Sequence, residues 1–554
     1  MEARLLDHWT DAVAATPFGS GIRRMFARRP ANLRAVLEES RRWDDRAYLV
    51  QGTRRITFED HFRAAARIGS VLRERGVRPG DRVILIGANS PAWVASFYAI
   101  TSIGAVAVLG NSWWSEEELR HAVDLTGPVL ALADAKRSER IPAGVPAILL
   151  EALSEQVFEP PTDQAESASI EGAGSVHEDD PAVVLFTSGT TGLPKGAILS
   201  HRSLIANLQG LLVMSRRLPT AADASGPHAV GIVGLPIFHI GGLQLLLVSL
   251  TTGNTCVFLP GRFDPAEVLR LVEAERATVL SAVPTMIQRI VHHPDLAVRS
   301  TSTLRTIVMG GSPVSAEMLD RVHTAFPGAR ARIGQSYGMT ELGGVVATGV
   351  GADLAAHPGS AGRLVPVAEV RIDLPDPGGV GEILVRTPAA MDGYWGRPDD
   401  PILDGDGWVH TGDLGRVDGD GFLYITGRAK DVIIRGGENI AAPHVEAHIV
   451  AHPEVQEVAV VGLPHVDLGE EVAAAVVVRP GSRLNGADLV EYLSPRLAYF
   501  EVPARWWVRT EPLPHNDAGK LVKRVIAQDW SDVSCLPEES PVDPAPAPSA
   551  SLTA

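Results

Sequence analysis

Short apolar runs alternate with helix-patterned stretches through the first half of this chain, and that alternation limits the fold more than any other feature. Phe58 to Arg73 carries apolar residues at helical spacing, Arg78-Pro79-Gly80-Asp81 makes a turn, and Val83 to Ile86 reads as a short buried strand. Trp93 to Leu109 follows as an apolar helix running into another strand. The pattern recurs between Ala229 and Met309, with Val279 to Val283 and Thr306 to Met309 as strands. Strands that alternate with covering helices predict an α/β fold with parallel sheets. At 554 residues the chain is too long for one core and predicts at least two domains.

The texture changes twice further on. After Gly351, short strands with Asp, Gly and Pro turns, such as Glu369 to Asp373 and Gly381 to Arg386, predict a β-rich subdomain. Beyond Gly427 a new unit begins, with strands at Val432 to Ile434, Val458 to Val461 and Ala473 to Val478 and helices at His444 to Val450 and Gly486 to Leu493. The polar stretch Glu159 to His177 reads as a connection. The Pro-, Ala- and Ser-rich stretch from Ser531 reads as a disordered tail. The resulting division is 1–428, 429–530 and a tail at 531–554.

Composition narrows the function. A formal net charge of −16 argues against a nucleic-acid partner. Two distant cysteines, Cys256 and Cys535, exclude a disulfide framework and a cysteine-rich zinc site. Met1 to Thr10 lacks the apolar core of a signal peptide, and Leu243 to Leu250 is too short to span a bilayer. These features predict a cytoplasmic protein. Arg23, Arg24, Arg28 and Arg29 read as a solvated helix face rather than a membrane contact. Peripheral membrane contact and a homodimer are left open.

The run Thr187-Ser188-Gly189-Thr190-Thr191-Gly192-Leu193-Pro194-Lys195-Gly196 follows the buried strand Ala182 to Phe186. Its glycines let backbone N–H groups converge, and its hydroxyls and lysine add donors and positive charge, so the run reads as a nest for a polyphosphate. Surface loops also favour Gly, Ser and Thr, but so many hydroxyls directly after a buried strand favour the nest. It is not a P-loop, because Gly196 stands where a hydroxyl would hold magnesium and no helix former follows Lys195.

Weaker strings accompany it. In Tyr337-Gly338-Met339-Thr340-Glu341 the ring suits a purine, the threonine a phosphate and the carboxylate magnesium, although alone the string reads equally as a turn. Trp408-Val409-His410-Thr411-Gly412-Asp413 sets a carboxylate in a Gly turn, suited to a ribose diol. Gly427-Arg428-Ala429-Lys430-Asp431 concentrates charge at a domain boundary, and Pro514 to Lys520 is a turn presenting a lysine. For these, surface-turn chemistry is the competing reading. Phe238-His239-Ile240-Gly241-Gly242 begins an apolar helix, where His239 reads equally as a core histidine.

Taken in this order, the motifs resemble the adenylate-forming superfamily of acyl-CoA synthetases, peptide-synthetase adenylation domains and luciferases, over roughly Ile56 to Arg524. The resemblance implies two α/β subdomains and a β-rich one, followed by a small mobile α+β domain. It implies that ATP, Mg2+ and a carboxylic acid give an acyl-adenylate and pyrophosphate, after which coenzyme A displaces AMP. By resemblance, Thr187, Ser188, Gly189, Thr190, Thr191, Gly192 and Lys195 would hold the β- and γ-phosphates. Gly310, Gly311, Ser312, Pro313 and Tyr337, with Gly338 and Met339, would form the adenine pocket. Thr340 would touch the α-phosphate, Glu341 the magnesium, and Asp413 and Arg428 the ribose. Lys430 would sit at the hinge. Gly436, Gly437 and Glu438 would line the pantetheine path, and Lys520 would bridge the carboxylate and α-phosphate. His239 joins Lys520, Thr340 and Glu341 among the catalytic candidates.

Two departures refine this. Ala441-Ala442-Pro443-His444-Val445-Glu446 shifts the family's proline and replaces the first glutamate of its Glu-x-Glu pattern by His444, which concerns the thiol side. His239 stands where peptide-synthetase domains carry an aspartate for the substrate ammonium, so amino acids are not expected as substrates. The acid pocket is expected around His239 to Leu243, Met286, Gly334 and Gly343. Its small residues, Gly241, Gly242 and Gly310 included, favour a medium- or long-chain fatty acid or a bulky cyclic acid. The other readings are a fatty acyl-AMP ligase loading a carrier protein and an inactive nucleotide-binding relative.

Overall fold

Strands whose successive residues face two different cores build the first of two units in the computed structural model, which describes residues 8–18, 21–158, 176–187, 193–221, 226–311, 314, 316–435, 438–466, 468–516 and 521–530. The first unit runs to Asp431 and also takes in Asn516; the second begins at Val432.

Two large sheets, beside the small pair Val13–Phe18 and Gly21–Phe26, build the first unit among the described residues. One follows the order Gly393–Tyr394, Lys195–Ser200, Pro181–Thr187, Val106–Gly110, Arg82–Ile86, Leu130–Ala133, Ala147–Leu149 and is parallel apart from its first strands. The other has a parallel half made of Ala47–Gln51, Thr255–Phe258, Val230–Val233, Val279–Ala282, Thr306–Gly310 and Ile333–Met339. The β-rich strands between Gly344 and Arg428 are hydrogen-bonded onto the free side of Ile333–Met339, so they extend this sheet.

The period-2 alternation of strands explains the layering. Val83 and Leu85 face a central core shared with Leu49, Val233 and Phe258 of the second sheet, whereas Ile84 and Ile86 face a separate outer cluster. On the second sheet Val50, Ile232 and Val257 turn the other way into their own cluster. Helices between the sheets must therefore be apolar all round. The helix Pro91–Ser102 meets that demand, since every one of its residues is buried. In the second unit, Val472, Ala474 and Val476 pack on one face of a five-stranded sheet and Ala473, Ala475 and Val477 on the other.

Several local expectations are corrected. Arg23 and Arg24 lie on the strand Gly21–Phe26, which pairs with Val13–Phe18, and not on a helix. Arg29 is held by Glu178, at 2.7 Å from Nε. Tyr337, Gly338 and Met339 lie in a strand, because they continue Ile333–Ser336 and pair with Gly344–Ala347, and only Thr340–Leu342 turns. Asp413 and Arg428 likewise face each other across paired strands. The tail from Ser531, Cys535 included, lies outside the described residues. Among the described residues no helix is long and apolar enough to cross a membrane.

Two histidines are packed into the central layer without charge. His61 is fully buried between Tyr48 and Tyr98, and neither ring nitrogen has a hydrogen-bond partner. Burial holds it down to about 3. His201 accepts a hydrogen bond from Leu33 N–H through Nδ1, and burial lowers it to about 4 against an opposing pull from Asp180. Because both folded-state values lie below that of the unfolded chain, their stabilisation is complete above pH 6.5 and is lost as pH falls. We predict that His61→Phe makes the loss of urea stability between pH 7.5 and 5.5 smaller by about 1.4 kcal/mol. An unchanged pH slope in the variant would show that His61 does not titrate on unfolding.

Candidate active site

The run that reads as a phosphate nest joins two antiparallel strands. Thr187 ends one, Lys195 begins the next, and the two residues face each other in register. No helix follows Lys195 directly, in agreement with the departure from the P-loop. Ser188, Gly189, Thr190, Thr191 and Gly192 lie outside the described residues. Next to them, His121 Nε2 is 3.0 Å from the carbonyl oxygen of Pro194, so that nitrogen carries the proton.

The short strand Gly393–Tyr394 pairs beyond Lys195–Ser200 and brings Tyr394 beside the lysine. Lys195 Nζ stands 4.8 Å from the centre of the Tyr394 ring and donates to Asp400 Oδ2 at 2.8 Å. Burial raises the Asp400 carboxyl, but Lys195 and the Ile402 N–H outweigh it and hold the group below its ordinary value. Tyr394 in turn donates to Glu341 Oε1 at 2.7 Å. Burial first, and then the Glu341 carboxylate, raise the phenol well above its usual range.

A second cluster lies on the extended sheet. Tyr337 donates to Asp413 Oδ2 at 2.7 Å, and Arg428 Nε donates to Asp413 Oδ1 at 2.9 Å. Burial and the adjacent Asp413 raise the Tyr337 phenol. A carboxylate has about four acceptor positions, so the two donors fix Asp413 without using all of them.

Both clusters open into one cavity of about 2120 Å3. That exceeds the ~300–1,000 Å3 typical of a single small ligand. Thr187, Lys195, His239, Gly310, Gly311, Tyr337, Gly338, Met339, Thr340, Glu341 and Arg428 all line it. Asp413 is buried behind Tyr337, at 5% exposure. Glu341 is a buried carboxylate on the cavity wall, and among the described residues no cluster of three or more His, Cys, Asp or Glu could hold a metal. This fits Mg2+, which is commonly held by one or two protein carboxylates together with substrate phosphates. His239 caps the helix Ile240–Thr252 without a side-chain capping bond, and its ring lies 4.6 Å from that of Phe238.

The remaining candidates are not gathered here. Lys430 lies on the short helical turn Ala429–Asp431, with its side chain outside the described residues. In the second unit, Glu438 begins a strand and pairs with Arg435. Its side chain, Ser312, Pro313, Gly436, Gly437 and Lys520 are outside the described residues. His444, at the start of the helix Ala442–Val450, approaches Glu501 at 3.7 Å, while Glu446 accepts from Val460 N–H and pairs with Lys523.

The glycine reading of the acid pocket needs correction. Gly334, Gly343 and Met286 do not line the cavity. A Cβ on Gly334 would meet Val350 at 2.4 Å, and one on Gly343, with φ +66°, would meet Ala389 O at 2.0 Å, so both serve backbone packing. A Cβ on Gly242 would meet Pro236 O at 2.2 Å. Gly241 lines the cavity with room for a Cβ, whose nearest neighbour would be Leu235 at 3.8 Å, and so does Gly231, which the sequence reading missed, with Thr255 O at 3.9 Å. Tyr394 and Asp400 were also missed, because their partners lie 53 and 205 residues away and no local pattern joins them.

Asp400 occupies the lysine that a polyphosphate would need. We predict that Asp400→Asn tightens ATP binding by about threefold to tenfold in calorimetry, since an exposed to half-buried pair is worth about 1 kcal/mol. Weaker binding would show instead that Asp400 positions Lys195 for the nucleotide.

Comparison with known proteins agrees with this geometry. The AMP-binding enzyme family model matches residues 36–395, and the AMP-binding enzyme C-terminal domain matches residues 444–520. A feruloyl-CoA synthase from Amycolatopsis sp is 37% identical over 476 residues, 84% of this chain and 92% of that protein. The fatty acid–[acyl-carrier-protein] ligase ScoC of Streptomyces coeruleorubidus is 34% identical, covering 88% of this chain and 94% of its own. An ATP-bound MatB from Rhodopseudomonas palustris superimposes with a TM-score of 0.78 at 30% identity, over 89% of this chain and 99% of that one. The chain belongs to the AMP-binding enzyme family, the adenylate-forming acid–thiol ligases.

Proposed function

We propose that this protein is an ATP- and Mg2+-dependent carboxylate–CoA ligase whose acid is a medium- or long-chain fatty acid or a bulky cyclic carboxylic acid. The observation that carries the choice of acid is the shape of the cavity. It extends from Tyr337 and Glu341 along one face of the parallel strands, past Ser281 and Val308, to Gly231, Val279 and Thr306 at their starts. The helix Ile240–Thr252 forms the opposite wall through Gly241, Gln244, Leu245 and Val248. A wall of 13 helical residues is about 20 Å long, far more than acetate needs.

In the proposed chemistry, Tyr337 with Gly310 and Gly311 receives adenine, and Asp413, oriented by Arg428, receives the ribose hydroxyls. Lys195 and the Thr187–Gly192 run hold the β- and γ-phosphates, and Thr340 donates to the α-phosphate. Magnesium bound at Glu341 supplies charge neutralisation at the phosphates. A carboxylate oxygen of the acid, beside His239, attacks the α-phosphorus, and the bond to pyrophosphate breaks. The CoA thiol, after losing its proton, then attacks the acyl carbonyl carbon and AMP leaves with the electron pair of the broken C–O bond. Lys520 bridges the two substrates in the first step only. Its cation offsets charge that develops between carboxylate and phosphate, and such preorganised charge is a large term in catalysis.

The relative named as an acyl-carrier-protein ligase keeps a second acceptor open. Supplying CoA to the purified enzyme separates the two readings, since formation of acyl-CoA supports this one and accumulation of acyl-AMP alone overturns it.

Two variants test the roles. Lys520→Ala is expected to reduce acid-dependent pyrophosphate release by about 100-fold or more, while conversion of supplied acyl-AMP and CoA largely survives. Equal loss of both half-reactions would contradict the assignment. Gly231→Phe projects a ring into the far part of the cavity and is expected to abolish turnover of long acids while sparing short ones. A uniform effect across chain length would show that the acid lies elsewhere.

A further inference from the structure

The far end of the cavity is cationic. The helix His201–Met214 is followed by Arg216 and Arg217, and Arg332 precedes the strand Ile333–Met339; all three line this end. Arg217 is half-buried and donates to Asn254 Oδ1 at 2.8 Å. Asn254 is itself buried, at 6% exposure, and the same oxygen accepts from Ala229 N–H at 3.0 Å, so the guanidinium is held in place. Burial, and then the nearby Arg332, lower the Arg217 value, and among the described residues no carboxylate contributes in the other direction. Asp353 also lines this end, but no ion pair joins it to these arginines among the described residues. Two like charges around an apolar passage, one of them partly desolvated, carry an unfavourable energy that an anion between them would relieve.

We infer that the preferred acid carries a second negative group at its far end, bound by Arg217 and Arg332, so that long α,ω-dicarboxylic acids and other ω-anionic acids are better substrates than plain fatty acids. This rests on the ligase reading above and refines its substrate class. The length of the passage sets the spacing. With the reacting carboxylate beside His239, the helix wall places the second anion about 20 Å away, a chain on the order of fifteen carbons. The walls between are lined by Leu245, Val248 and Val308, which suit methylenes. Arg217 would thus determine specificity without touching the reacting atoms.

The test compares hexadecanedioic acid with hexadecanoic acid in pyrophosphate release by the full-length protein, read as a ratio of kcat/KM. The diacid should be preferred by about tenfold to hundredfold, the usual worth of a hydrogen bond to a charged group. In Arg217→Gln/Arg332→Gln the ratio should fall to about one, and Arg217→Lys, which keeps the charge, should retain part of the preference. Circular dichroism on each variant identifies any that fail to fold, and Arg332→Gln, at an exposed residue, then carries the test by lowering the ratio alone. A wild-type ratio at or below one, or a preference unchanged in the folded variants, overturns the inference and leaves the ligase reading intact. Pyrophosphate release with aromatic acids but neither long acid does the same. Absence of release with every acid overturns both.

Discussion

The hydrogen bond from Tyr394 to Glu341 is the point at which the two large sheets of the first unit meet at the site. Tyr394 belongs to the edge of one sheet, and Glu341 follows the strand Ile333–Met339 of the other. The same ring faces Lys195, and Met391 N–H donates to the Glu341 carbonyl at 2.9 Å. Lys195 and Glu341 are therefore registered to each other by one side chain and one backbone contact. Buried hydrogen bonds to a charged acceptor are worth about 1.5–3 kcal/mol, enough to hold this alignment against side-chain entropy.

Charges at the site are compensated before any nucleotide arrives. Lys195 has Asp400, and Asp413 has both Tyr337 and Arg428. The two arrangements differ in consequence. On the proposed roles, Asp413 would keep acceptor capacity while held, whereas Lys195 would have to share its ammonium between Asp400 and an incoming phosphate. The first is preorganisation; the second is an exchange of partners, in which the ligand replaces an ion pair instead of meeting a bare charge.

Period and turn chemistry made the layered fold legible in the sequence. Glu369–Asp373 and Gly381–Arg386 have the bounds their residues suggest, because short runs between Gly and Asp turns read as strands, and the helix Gly486–Leu493 has its expected bounds too, starting after the Asn485 cap. Tyr337–Met339 was not legible as strand, since its backbone is fixed by pairing with Gly344–Ala347 and not by its own glycine-containing sequence. At the site, residue types announced phosphate and magnesium chemistry, but the partners that orient them are remote in the chain. Glycine counting misled for Gly334 and Gly343, where the missing side chain makes room for backbone rather than ligand.

The cavity also says something about the core. It runs over the face of the second sheet opposite the Ile232, Leu280 and Ile307 cluster, against a helix of the central layer. In most domains that interlayer space is filled by side chains at close-packed density. Here Gly231, Ser281 and Gly241 leave it open, so the unliganded fold lacks a strip of its own interior. An acyl chain lying there would pack against apolar side chains of both walls, Val308 and Leu245 among them. On the proposed function, the substrate would finish the packing of the protein that consumes it, and each product release would return the molecule to an incompletely filled state.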